Sequence, residues 1–302
     1  MTDQTQRAAV GDLVIAYESF GDPADPPLLL VMGLATQMLG WDERFCVQLA
    51  DQGFHVIRFD NRDIGLSTHL TDAGVPDVKA LLSGSQTAAA PPYTLLDMAG
   101  DTEGLLLALG LESAHVVGAS MGGMIAQQLA IGHRPRVRSL TSIMSTPCRE
   151  VGQARPEAMA VLFLPPPTDA AQAAERALTV YRVIGSPGYP LDEPHLSEVA
   201  RRAFARGHDP AGVARQLSAI AVSPDRRPGL RDLSVPTLVI HGEDDPLVEV
   251  DGGLATAEAV PDARLVVIPG MGHNLPEPLW PQLVDEIVTH ARSAEGSRAT
   301  ST

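Results

Sequence analysis

The chain has 302 residues, 44% of them hydrophobic, and sets 37 acidic residues against 22 lysines and arginines for a formal charge of −15. That length and apolar content suit one large α/β domain, or two small ones, with a sizeable core. Acidity spread along the chain argues against a phosphate backbone or an anionic membrane as partner, and no apolar run reaches membrane length, so neither nucleic acid nor a membrane span is expected.

The first ten residues are polar and lack the apolar stretch of a signal peptide. The two cysteines, Cys46 and Cys148, have no metal-ligand spacing and are expected to be reduced and buried. Together these features predict a cytoplasmic protein. Leu13–Phe20 reads as a strand and Gly21–Pro27 as a turn-rich loop. Leu28–Met32 is a continuous apolar run ending at Gly33, the pattern of a strand buried on both faces. A helix over Trp41–Gln52 and a strand over His55–Phe59 follow, then a polar turn, Asp60–Ser67. From Thr68 to Pro92 the chain is loop-like, with a short helix at Val78–Leu82; Thr94–Leu109 is a helix closed by Gly110.

Next, the apolar run Ala114–Val117 stops at Gly118, and a helical pattern (Met121, Ile125, Leu129) begins just past Ser120. Val137–Met144 is a further strand. From Pro147 to Arg231 the rhythm changes to helices over Ala170–Ile184, Pro194–Arg206 and Ala211–Val222, separated by prolines. Strand and helix then alternate again through Thr237–Ile240, Asp251–Ala259, Arg264–Ile268 and Pro278–Ala291. The pattern predicts the α/β class, with a mostly parallel central sheet flanked by helices. Core segments 1–146 and 232–291 bracket a helical cap at 147–231, and the tail 292–302, rich in Ser, Ala, Gly and Thr, is expected to be disordered.

Ser120 between Gly118 and Gly122 is the G-x-S-x-G turn that projects a nucleophile from the carboxyl end of a strand. The chain passes close on both sides, so neither flank tolerates a side chain. A serine hydroxyl is a weak nucleophile until a base takes its proton and an acid orients that base. A parallel sheet delivers both to the same edge: one later strand ends at Asp244-Asp245, the last at His273. Asp245 is the expected acid because Pro246 fixes the turn after it, and His273 is the expected base. The amide of Met121, at a helix start, and that of Leu34, just past Gly33, are the expected oxyanion donors. Gly33, Leu34 and Met121 should therefore border the substrate.

The remaining histidines read as structural. His241 lies on the acid's own loop, His115 starts a strand, His133 and His290 lie near helix ends, and His195 and His208 fall in the cap. No Cys/His spacing suits zinc, and no phosphate-binding glycine motif occurs, so no metal and no cofactor is expected.

Gly118-Ala119-Ser120-Met121-Gly122-Gly123, the Asp60–Ser67 turn, His241-Gly242-x-x-Asp245-Pro246 and Gly270-Met271-Gly272-His273 occur in order. By these motifs the chain resembles the α/β-hydrolase superfamily from about Leu13 to Ala291. Leu30-Val31-Met32-Gly33, His55–Asp60, the elbow and Pro269–His273 are similar to the aclacinomycin methylesterases and to LipG-type lipase/esterases of mycobacteria. The resemblance implies an α/β-hydrolase fold with a helical cap inserted after the sixth strand. It also implies a Ser120–His273–Asp245 triad and oxyanion amides at Leu34 and Met121. Met32 departs from many members, where a histidine precedes the glycine. The implied activity is cleavage of a small-molecule carboxylic ester through an acyl-enzyme. Apolar cap segments (Val161–Leu164, Val180–Ile184) suit a substrate of modest size with an apolar body. Lactonases, cofactor-free perhydrolases and haloperoxidases, and carbon–carbon bond hydrolases share the triad and remain open, as does a ligand-binding receptor on a hydrolase scaffold.

Overall fold

The computed structural model describes residues 5–83 and 89–299; the first four residues, part of the 68–92 loop and the last three residues of the expected tail lie outside it. Among the described residues there are eight strands: β1 (Gln6–Val10), β2 (Leu13–Phe20), β3 (Pro27–Val31), β4 (His55–Phe59), β5 (Ala114–Ala119), β6 (Val137–Ile143), β7 (Thr237–Gly242) and β8 (Arg264–Ile268). They form one sheet in the order β1-β2-β4-β3-β5-β6-β7-β8. β2 runs antiparallel to both β1 and β4, and every other pairing is parallel. β1 escapes a sequence reading because it is a short edge strand with only Ala8 and Val10 turned inward.

The helices are α1 (Glu43–Ala50), α2 (Val78–Leu82), α3 (Leu95–Ala108), α4 (Met121–Gly132), α5 (Pro156–Leu162), α6 (Ala170–Ile184), α7 (Glu193–Arg206), α8 (Pro210–Ala221), α9 (Arg227–Arg231), α10 (Val250–Ala259) and α11 (Trp280–Ala299). Alternation along the strands divides the core. Leu28 and Leu30 face Phe45, Leu49, Leu283 and Ile287 of α1 and α11. Leu29 and Val31 face the opposite layer, with Leu95 and Met98 of α3 and Ile125 and Leu129 of α4. Layers on both sides leave β3 and β5 wholly buried, which explains their unbroken apolar runs.

The expected disorder from Arg292 is corrected: α11 continues to Ala299. Its small residues resemble a linker in composition, but tertiary contacts hold this stretch as helix. Ala294 is buried, Arg292 Nη2 donates to the Gln52 carbonyl at 2.8 Å, and Arg138 Nη1 donates to Glu295 at 3.3 Å. His290 consequently lies mid-helix, with Nε2 3.2 Å from the carbonyls of Leu140 and Pro236. Between β6 and β7 the chain leaves the sheet for α5 to α9. The last of these, α9, packs back against α4 and α10 through Leu230.

Candidate active site

β5 ends at Ala119 and α4 begins at Met121, which leaves Ser120 alone on the turn at φ 56°. A positive φ is strained for a residue with a side chain, so the turn must be held from outside. The Ser120 amide donates to the Ile143 carbonyl at 2.9 Å. Its own carbonyl accepts from the amides of Gly123 (2.9 Å) and Met124 (3.2 Å) and from the Ser145 hydroxyl (2.8 Å). A methyl group on Gly118 would strike the Gly122 carbonyl, and one on Gly122 the carbonyl of Val31.

His273 Nε2 lies 2.9 Å from Ser120 Oγ, and its Nδ1 lies 2.7 Å from Asp245 Oδ2. Asp245 is buried, and its Oδ1 accepts from the amides of Leu247 (2.8 Å) and Val248 (2.9 Å). With the carboxylate as acceptor, Nδ1 carries the imidazole proton and Nε2 is free to accept one from Ser120. Asp244 points elsewhere: its Oδ2 accepts from the Gly270 amide at 2.9 Å. His241 lies beneath the acid, 3.8 Å from Asp245 Oδ2, with Nε2 donating to the Val248 carbonyl at 2.7 Å. Burial lowers its pKa and keeps it neutral, so it adds no second charge.

The loop after β3 faces the serine. A side chain on Gly33 would sit 3.1 Å from Ser120 Cβ. Leu34 and Met121 line the same cavity as Ser120 and His273. The Met121 amide, first in α4, has no acceptor within its helix. Sequence reasoning missed the residues that brace this loop. Asn61 Nδ2 donates to the Met32 carbonyl at 2.9 Å, and Gln216 Oε1, on α8, accepts from the Ala35 amide at 3.1 Å. Nothing in the sequence marks Gln216, a polar residue of an amphipathic helix that is fully buried only in the folded chain.

The inserted helices also position the histidine. The Ile184 carbonyl at the end of α6 accepts from the His273 amide at 2.7 Å, and Ser186 Oγ accepts from the Gly272 amide at 2.9 Å. A side chain on Gly272 would collide with the Gly185 carbonyl. Sheet and insertion border an open cavity of about 1940 Å³. Typical small-ligand pockets span roughly 300–1,000 Å³, so the space exceeds what an ester of modest size needs. Elsewhere, Asp63, His69 and Asp209 bring ligand atoms within 4.8 Å of one another. The cation among them is the protein's own: Arg215 donates to both Asp63 oxygens at 2.8 Å and to Asp209 at 3.0 Å.

This fold and site define a class. Residues 26–181 match the family model for the alpha/beta hydrolase fold, and the chain belongs to that family. It is 29% identical to rhodomycin D methylesterase DauP of Streptomyces sp., over 96% of this chain and 99% of that protein. It is 28% identical to 3-oxoadipate enol-lactonase 2 of Acinetobacter baylyi, over 85% of each. The solved enol-lactonase of Burkholderia xenovorans superposes with a TM-score of 0.72 at 24% identity, covering 94% of this chain and 99% of that one. Among the described residues no helix is long and apolar enough to cross a membrane.

Proposed function

We propose that this chain is a serine-dependent carboxylic ester hydrolase. Ser120 is its nucleophile, His273 its general base and then acid, and Asp245 the group that orients the imidazole. The observation carrying this reading is the relay from Ser120 Oγ through His273 to Asp245, with links of 2.9 and 2.7 Å. Ser120 attacks the ester carbonyl as His273 Nε2 takes its proton. The developing oxyanion rests on the amides of Leu34 and Met121, and Gly33 leaves room for the acyl carbon. The protonated His273 delivers its proton to the departing alcohol. Water, deprotonated by the same nitrogen, then releases the acid.

An ester whose body is apolar fits the cavity wall, where Val161, Val180, Ile184 and Phe204 face the space above the serine. The methylesterase relatives favour the same bond type. A lactone is a cyclic ester open to the same attack, and the enol-lactonase relative supports it as the second reading. The segment 147–231 serves as the cap that shapes this space. Two free, buried cysteines suit a reducing, cytoplasmic setting, and burial pushes the Cys46 thiol up to about 12.

The test is steady-state hydrolysis of p-nitrophenyl esters, acetate through decanoate, by the wild type and Ser120→Ala. Turnover that disappears in the variant is expected. Equal slow rates would refute the ester reading, and a single stoichiometric burst would favour a receptor whose serine acylates without turning over.

A further inference from the structure

Four arginines line the cavity, and three have their guanidinium groups taken up. Arg44 pairs with Asp42 and Glu277. Arg149 donates to the carbonyls of Ala221 and Leu82, and Arg226 donates to Gln127, Ser223 and the Thr146 carbonyl. Arg176, on α6, is different. Its Nε is buried without a hydrogen-bond partner, and Nη2 makes one long contact, 3.4 Å, to the Leu162 carbonyl. Among the described residues no carboxylate pairs with it. Burial depresses its pKa with no acid to offset the effect.

The helix makes this arginine conspicuous. Ala173, Ala177, Val180 and Ile184 form the stripe of α6 that faces the cavity, and Arg176 falls within that stripe at helical spacing. Arg176 is half-buried on this stripe, and a partly desolvated charge is normally offset by a partner. Here the partner is missing from a cavity that receives a ligand. His208, which also lines this space, stacks on Phe204 at 4.8 Å between ring centroids. Burial lowers its pKa, with the Pro167 carbonyl and Asp209 opposing the shift and the nearby Arg176 charge adding to it.

The position separates Arg176 from the end of α6 that holds His273. α6 ends at Ile184, whose carbonyl holds the His273 amide at 2.7 Å. Arg176 lies eight residues earlier, about 12 Å along the helix axis at 1.5 Å per residue, and helical side chains lean further towards the N-terminus. We propose that Arg176 is an anion subsite for a carboxylate at the end of the substrate remote from the scissile ester, across the apolar stripe of α6. The planar guanidinium fork matches a carboxylate in two parallel hydrogen bonds, which an ammonium cannot reproduce. The preferred substrate class is thus a long apolar ester with an acidic terminus.

The kinetic arm of the test rests on the ester-hydrolase reading; the binding arm does not. Monomethyl esters of straight-chain dicarboxylic acids, adipate through tetradecanedioate, are compared with methyl esters of the matching monocarboxylic acids. The proteins are wild type, Arg176→Gln and Arg176→Lys. Wild type should favour the acid-terminated member of the longer pairs, through KM. Arg176→Gln should cut that preference about ten- to hundredfold, the scale of a charge-assisted hydrogen bond, and Arg176→Lys should restore part of it. A preference in Arg176→Gln within twofold of wild type would overturn the subsite, as would a wild type that favours neither member. Calorimetric binding of dodecanedioate to wild type and Arg176→Gln reads the subsite without turnover. Tenfold weaker binding by Arg176→Gln, with no ester cleaved by any form, would sink the esterase reading and keep the subsite. Ser120-dependent turnover with equal binding would sink the subsite alone.

Discussion

Replacing Asp245 with asparagine tests the relay at its least exposed member. The substitution preserves shape but removes the charge and makes one terminal atom a donor. The surroundings decide which atom that is. The site now held by Oδ1 faces two amide donors, Leu247 N at 2.8 Å and Val248 N at 2.9 Å. Turning the NH₂ group towards them would leave both amides unsatisfied, at about 1–3 kcal/mol for the buried one of Val248 and less for the partly buried one of Leu247. The asparagine oxygen therefore stays with the amides and the NH₂ group faces His273 Nδ1. A donor there makes Nδ1 an acceptor and moves the imidazole proton to Nε2, which would then donate to Ser120 Oγ. The base is lost although every atom remains in place. An asparagine at this position in a Ser-His-Asp triad lowers kcat about 10⁴-fold, roughly 5 kcal/mol of barrier. The assay is kcat on a neutral p-nitrophenyl ester near neutral pH, with Asp244→Asn as control. Asp244 lies outside the relay, accepting from Gly270 N at 2.9 Å, so its variant should stay within about threefold of wild type. An Asp245→Asn enzyme that keeps a tenth of wild-type kcat would refute the reasoning, as would an Asp244→Asn enzyme that loses more.

Three further outcomes follow from the same contacts. Gly122→Ala places a methyl group against the Val31 carbonyl, which belongs to buried β3 and cannot yield, so denaturation by urea should register a loss of about 3 kcal/mol or more; an unchanged midpoint would count against the close approach. Arg215→Met strands the buried Asp63 carboxylate, which now takes two 2.8 Å hydrogen bonds from that guanidinium, and should destabilise the fold by about 3–5 kcal/mol in the same assay. Burial lowers the pKa of His115 from 6.5 to about 4, the nearby Glu295 opposing only part of that shift. The unfolded chain therefore binds this proton first, so the contribution is fully present above pH 6.5 and lost as pH falls towards 4. That loss is on the order of 3 kcal/mol, and a His115→Gln variant should show a flatter unfolding free energy across the same window.

Local pattern was enough for much of this protein. Elements whose own residues decide their state, such as the unbroken apolar strands and the helix over Ala170–Ile184, fall where periodicity places them. The nucleophile turn is legible because backbone crowding there forbids any side chain, and only glycine records that fact in a sequence. Asp245 and His273 come together because a parallel sheet delivers its loops to one edge. Composition misleads at the edges of the fold: β1 reads as a polar tail, and the last turns of α11 read as a linker until Ala294 finds its burial.

What only the tertiary structure decided lies where distant segments meet. The sequence determined the serine turn, the order of Ser120, Asp245 and His273, and the parallel alternation, since each depends on neighbours along the chain. Gly272 has a different reason: it admits the Gly185 carbonyl, 87 residues earlier, and nothing within its own loop requires it. Gln216 and Arg176 are ordinary polar residues of amphipathic helices until packing decides their surroundings. It sets the first against the loop after β3 and leaves the second facing a cavity without an acid beside it. Partnership is a property of the space between elements, and a periodic pattern says which face turns inward without saying what waits there.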